Sequence, residues 1–237
     1  MATPPPAVLF LPGLLCDAAV WARQVEGLRG LADVLVADLT QDDSISAMAR
    51  RASEMMTDRS LVVIALSMGG YVAFELLRTI PERIVAVALF DTAAGPDTPE
   101  RVAERKAGIA SLAVGRFVGV TSRMASRFIH PDRSDGPLGD EVRAMAQRVG
   151  SQAYIRQQQA ILGRQDYRPL LPGIGVSTLV AVGAQDMLTP VDEACLIHEG
   201  IAGSRFHVFD HCGHLPSLEV PEETNALLRE WLKNAVL

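Results

Sequence analysis

The chain has 237 residues, 49% hydrophobic and 21% charged. These are the proportions of one ordinary folded domain, and they exclude a disordered or fibrous chain. The formal charge of −6 argues against a nucleic-acid partner. Short apolar runs at 7–11, 33–39, 61–66, 84–91, 178–183 and 205–209 carry little polar alternation, which is how strands covered on both faces read. Helical patterns fall between and after them, at 20–31, 45–57, 68–79, 191–200 and 222–234. The alternation predicts a parallel sheet with helices on both faces. Between 96 and 172 no strand is predicted. Helical spacing there covers 101–113, 118–128, 141–149 and 154–162, and 130–139 reads as a loop rich in Pro, Asp, Ser and Gly.

Four junctions carry residues with chemistry. After the first strand, Pro12-Gly13 makes a turn that can aim a backbone N–H, that of Leu14, at a neighbouring strand end. Pro-Gly is also common in ordinary turns. After the third strand, Ser67 stands between a buried strand and a helix, with Ala65 two residues before and Gly69 two after. Small neighbours suit a nucleophile on a crowded, strained turn. A plain helix cap is the alternative reading. After the fifth strand comes Gly183-Ala184-Gln185-Asp186, with the acid at the sheet edge where sites in parallel sheets gather. Asp186 could equally cap a turn. After the sixth strand, Asp210-His211-Cys212-Gly213-His214-Leu215-Pro216 places His214 in a shaped loop. His207, His211, Cys212 and His214 match no common zinc spacing, so no metal is expected. The only lysines, Lys106 and Lys233, follow no Gly-rich loop, which excludes a P-loop.

Three widely spaced cysteines, Cys16, Cys195 and Cys212, predict reduced thiols and a cytoplasmic setting. No apolar run reaches the ~18 residues of a membrane helix, and no Lys or Arg precedes Arg23, as a signal peptide would need. Cys16 lies near the expected site and reads as a packing residue.

In chain order, these motifs resemble those of serine hydrolases of the α/β-hydrolase fold superfamily, over nearly the whole chain. The segment 67–99 is similar to bacterial esterases and enol-lactone hydrolases. Leu11-Pro12-Gly13-Leu14-Leu15 looks like the family's oxyanion loop, with Pro12 where a His is frequent. Ala65-Leu66-Ser67-Met68-Gly69-Gly70 looks like its nucleophile elbow. Gly183-Ala184-Gln185-Asp186 looks like its acid loop, and Cys212-Gly213-His214-Leu215-Pro216 with Glu219 and Pro221 like its histidine loop.

The resemblance implies a three-layer α/β/α sandwich with about six parallel strands, lacking the usual N-terminal hairpin. It implies a core formed by 1–95 and 173–237, with a helical cap inserted at 96–172. It implies a catalytic Ser67, Asp186 and His214, and an oxyanion hole of the Leu14 and Met68 N–H groups. Some members carry the acid after the fourth strand, where Asp91 stands; Asp186 occupies the commoner place. Phe117 and Phe128 are the candidate pocket residues. The implied activity is cleavage of a small carboxylic ester without a cofactor. Lactonase, thioesterase, C–C hydrolase, perhydrolase and acyltransferase use the same machinery, and a non-catalytic ligand-binding module shares the fold. The expected partner is a small ester-like molecule, not nucleic acid or membrane, for a monomer or homodimer.

Overall fold

The computed structural model describes residues 6–114 and 122–235. Six parallel strands form one sheet: β1 (Ala7–Leu11), β2 (Val34–Val36), β3 (Leu61–Leu66), β4 (Ile84–Phe90), β5 (Ser177–Gly183) and β6 (Arg205–Phe209), in the order β2-β1-β3-β4-β5-β6. Strand alternation divides the core. Ala7, Leu9 and Leu11 face one apolar layer, Val8 and Phe10 the other. The first layer is covered by α2 (Ile45–Glu54), α3 (Met68–Thr79) and α7 (Val191–Gly200). The second is covered by α1 (Ala22–Gly27), α8 (Pro216–Glu219) and α9 (Pro221–Ala235), with Trp21 and Trp231 inside it. The strand order reverses beside β1, so a crevice opens at the carboxyl ends of β1 and β3.

The expected elements differ from the observed ones where local pattern competes with position. The run at 33–39 yields only a three-residue strand, because β2 is an edge strand bonded on one side. The pattern at 20–31 splits into a 3-10 turn, Ala18–Trp21, and the short α1. The Asp17 side chain caps that turn by accepting from the Ala19 N–H at 2.9 Å.

Between β4 and β5 lie α4 (Pro99–Val114), α5 (Ser122–Phe128) and α6 (Pro137–Leu162). The expected loop at 130–139 is shorter than its composition implies. Pro131–Arg133 forms a 3-10 turn, and Pro137 opens α6 at the first helical position, where proline fits. The two patterns at 141–149 and 154–162 fall on two helical stretches within α6, separated at Gly150, whose φ of 77° and ψ of 173° are not helical and suit only glycine. Val142, Met145 and Ala146 of α6 pack into the second layer, and Ala160 and Ile161 into the first. The two ends of the segment are tied together. Tyr167 N–H donates to the Ala94 carbonyl at 2.9 Å. Arg164 donates to the Gly95 carbonyl at 3.0 Å and to Asp97 at 2.9 Å.

Candidate active site

The turn from β3 to α3 holds Ser67 at φ 54°, a left-handed conformation that an L-residue adopts only when its surroundings impose it. They do so on three sides. The Ser67 N–H donates to the Phe90 carbonyl at 3.0 Å. The Ser67 carbonyl accepts from the Thr92 hydroxyl at 2.7 Å. Behind the turn, a Cβ on Gly69 would strike the Leu11 carbonyl of β1, so the elbow closes only with glycine there. Met68 is the first residue of α3, and its N–H belongs to those without an acceptor inside the helix.

Facing this elbow is the loop after β1. Leu15 has φ 61° and donates its N–H to the Gln157 side chain of α6 at 3.0 Å; that same side chain donates to the Leu39 carbonyl at 3.2 Å. A residue 142 positions away thus shapes the turn that carries Leu14. Cys16 is buried beside it, and burial pushes its thiol up to about 12. Packing explains the residue.

His214 is buried, with Nδ1 2.7 Å from Asp186 Oδ2. The other Asp186 oxygen accepts the Leu188 and Thr189 N–H groups at 2.7 and 3.1 Å, and the Thr189 hydroxyl donates to Oδ2 at 2.7 Å. Burial disfavours the charge on Asp186, but the imidazole and these donors outweigh it and hold the carboxyl below the usual aspartate range. With Nδ1 bonded to an ionised carboxylate, the neutral imidazole keeps its proton there and leaves Nε2 as the acceptor.

The histidine loop is pinned by Glu219. One carboxylate oxygen accepts from the Gly213 and Leu215 N–H groups at 2.9 and 3.2 Å; the other accepts from the His130 N–H at 2.7 Å and from Arg133 at 3.1 Å. The His214 N–H itself donates to the Phe128 carbonyl at 3.0 Å. The end of α5 and the histidine loop are therefore bonded to each other directly and through one carboxylate.

Ser67, Met68, Leu14 and His214 line one cavity of about 250 Å³, closed on its far side by residues of α4, α5 and α6. Phe128 is among them, with its ring 6.3 Å from the imidazole. Phe117 lies outside the described residues. Arg101, Arg105 and Arg127 also line the cavity, against one acidic residue, Glu104.

Asp91, the alternative acid, is fully buried after β4, and one of its oxygens accepts the Gly183 N–H at 2.8 Å. It forms a tight group with Asp186 and His214. His207 instead pairs with Glu223 at 3.1 Å, and the His211 ring lies 6.1 Å from that of His130, so these histidines do not converge on His214. Sequence reasoning missed Gln157, Thr92 and Arg133. Only their position in the folded chain marks them.

Residues 8–227 match the family model described as alpha/beta hydrolase family. The chain is 26% identical over 227 residues to a pimeloyl-[acyl-carrier protein] methyl ester esterase of Neisseria meningitidis serogroup A, covering 92% of this chain and 70% of that protein. A thermophilic esterase from Thermogutta terrifontis superposes with a TM-score of 0.88 at 27% identity, over 99% of this chain and 92% of the other. An enol-lactonase from Burkholderia xenovorans shares the fold, with a TM-score of 0.81 at 22% identity, over 97% of this chain and 92% of the other.

Proposed function

The chain belongs to the alpha/beta hydrolase family, and on that premise we propose that it is a serine esterase acting on a small carboxylic ester through an acyl-enzyme on Ser67. The observation that carries the reading is the buried His214–Asp186 pair, bonded at 2.7 Å, in one cavity with a serine on a strained elbow. In this reading His214 Nε2 takes the Ser67 proton as the oxygen attacks the ester carbonyl, and Asp186 stabilises the imidazolium. The Leu14 and Met68 N–H groups receive the tetrahedral oxyanion. The imidazolium then returns its proton to the departing alcohol. Water repeats the sequence on the acyl-enzyme, releasing the acid and restoring Ser67. Every step uses the chain's own groups and water.

Helices α4 to α6, the 96–172 segment, act as the cap that selects substrate. Arg101 and Arg105 share Asp97 with Arg164, and Arg127 pairs with Glu104, so four arginines face two acids there, and the surplus of positive charge favours an ester whose far end carries a negative charge. The esterases from N. meningitidis and T. terrifontis support ester over lactone, thioester, C–C bond, peracid or acyl transfer. The location proposed is cytoplasmic, which the unbridged cysteines support; among the described residues no helix is long and apolar enough to cross a membrane.

A fluorophosphonate probe is expected to label Ser67 alone, and Ser67→Ala to lose labelling and at least ~10³-fold in turnover while remaining folded. Labelling that persists in Ser67→Ala sinks the assignment, and an unlabelled wild type points to the binding-module reading. Methyl esters ending in a free carboxylate, compared with their neutral counterparts, lactones and thioesters, identify the substrate class. The carboxylate-bearing esters are expected to show the highest kcat/KM, with an advantage that shrinks as salt rises.

A further inference from the structure

Asp91 has no part in that mechanism, yet its placement is costly unless it has a role. It sits at φ 46°, with its N–H bonded to the Ala181 carbonyl at 2.9 Å and its Oδ1 to the Gly183 N–H at 2.8 Å. These bonds hold the side chain between β4 and β5. Its Oδ2 is buried and finds no hydrogen-bond partner among the described residues. One oxygen of Asp91, one of Asp186 and one ring nitrogen of His214 lie within 4.8 Å of one another, and all three residues are buried. Two ionised carboxylates in one dry site repel strongly, and an orphaned carboxylate oxygen loses its full hydration. A protonated Asp91 removes the repulsion and turns the orphan oxygen into a donor to the Asp186 carboxylate.

We propose that Asp91 and Asp186 form a coupled carboxyl pair that holds one proton and one negative charge opposite His214, with Asp91 as the neutral member that positions Asp186 and can face the imidazole in its place. The charges around it agree. Burial first, then the Asp186 charge, push the Asp91 carboxyl well above the usual aspartate range; a hydrogen bond to Asp186 and the Glu219 charge add to this, and the Gly183 N–H opposes it. The remaining titratable neighbours are His214 and the Cys212 thiol, which burial also keeps neutral. Asp186 bears the charge because it has three donors besides the imidazole, whereas Asp91 has one. The inference rests on the serine-esterase reading, and its tests separate the two.

The first test reads stability, not activity. A carboxyl that stays protonated when folded contributes stability that is whole below the unfolded value of ~3.9 and is lost as pH rises towards its folded value. Asp91→Asn keeps the acceptor for the Gly183 N–H and removes this loss. Between pH 4 and pH 8 the Tm difference is expected to move in favour of Asn by several degrees. A difference that stays flat over this range overturns the proposal.

The second test is a double-mutant cycle in kcat/KM. Asp91→Asn alone is expected to cost under about fivefold and Asp186→Ala about 10²-fold, while the double variant falls by about 10⁴-fold, the loss of a triad without its acid. In Asp186→Ala, Asp91 gives its proton to solvent and its carboxylate accepts from His214 Nδ1–H. Asp186→Ala is therefore expected to be more active than Asp186→Asn, whose amide occupies that space. If Asp186→Ala does not fold, Asp186→Ser, which keeps an oxygen for the Leu188 and Thr189 N–H groups, takes its place in the cycle. Losses that simply multiply overturn the shared pair and leave the esterase reading standing. Full turnover in Ser67→Ala overturns that reading instead.

Discussion

At the scale of single residues, the site depends on conformations that neighbours impose. Ser67 keeps φ 54° because Phe90, Thr92 and the bare Cα of Gly69 leave no other path. His214 keeps its tautomer because Asp186 takes the Nδ1 side. Asp186→Asn preserves volume but can present an amide N–H₂ to Nδ1, which holds the ring in the wrong tautomer. The expected loss is about 10⁴-fold in kcat with KM little changed, since in the proposed mechanism Asp186 touches the base and not the substrate. Steady-state kinetics on a good ester checks this, and a loss expressed mainly in KM contradicts it.

At the scale of elements, the histidine loop is held less by its own sequence than by two partners. Glu219 satisfies five donors, the Gly213 and Leu215 N–H groups and the Cys212 thiol from its own loop and two from the segment after α5. Glu219→Gln keeps the size but loses the charge facing Arg133, and its N–H₂ must meet a backbone donor. The expected cost is about 2 kcal/mol, or a Tm lower by about 4–8 °C. Because His214 moves with this loop, kcat is expected to fall about tenfold. Thermal unfolding and kinetics on the same sample test whether the two effects travel together. A variant that loses stability at full kcat would show that the loop keeps its place without this carboxylate. Gln157 does the same for the Leu14 turn, from the middle of α6.

For the molecule as a whole, the question is how a long helical segment stays closed over the sheet edge. Asp97 is the clamp. It stands at the entry to α4 and receives Arg105 at 2.5 Å, Arg164 at 2.9 Å and Arg101 at 3.7 Å. Burial opposes its charge, but hydrogen bonds from Arg164 and Arg105 hold its carboxyl down to about 2. A depressed carboxyl contributes stability that is complete above the unfolded value of ~3.9 and is lost as pH falls towards about 2. Asp97→Asn is expected to cost about 3 kcal/mol at pH 7, since it leaves Arg164 buried without its counter-charge, and the gap to wild type should narrow between pH 4 and pH 2. Urea titrations across that range check it. A gap that does not depend on pH would mean that the clamp does not act through charge.

The alternation of buried strands with amphipathic helices was legible because burial repeats every two or every 3.6 residues, within a dozen positions of itself. Ser67, Asp186 and His214 stood out for a similar reason: each directly follows a strand, and parallel strands bring such positions to one edge. The break at Gly150 was legible too, as two helical patterns on either side of it, but the start of α6 at Pro137 was not, since 130–139 has the composition of a loop. Nor could the sequence say that Gln157 reaches Leu15, that Glu219 reaches His130, or that Asp91 and Asp186 share one buried space. The two hydrogen bonds span 142 and 89 positions and the two acids follow separate strands, and a single buried polar contact leaves no period in the chain. The sequence by itself determined which elements form and which residues end them. Only the tertiary structure decided which of those residues meet, because that depends on the packing of whole layers and on what each buried polar group finds there.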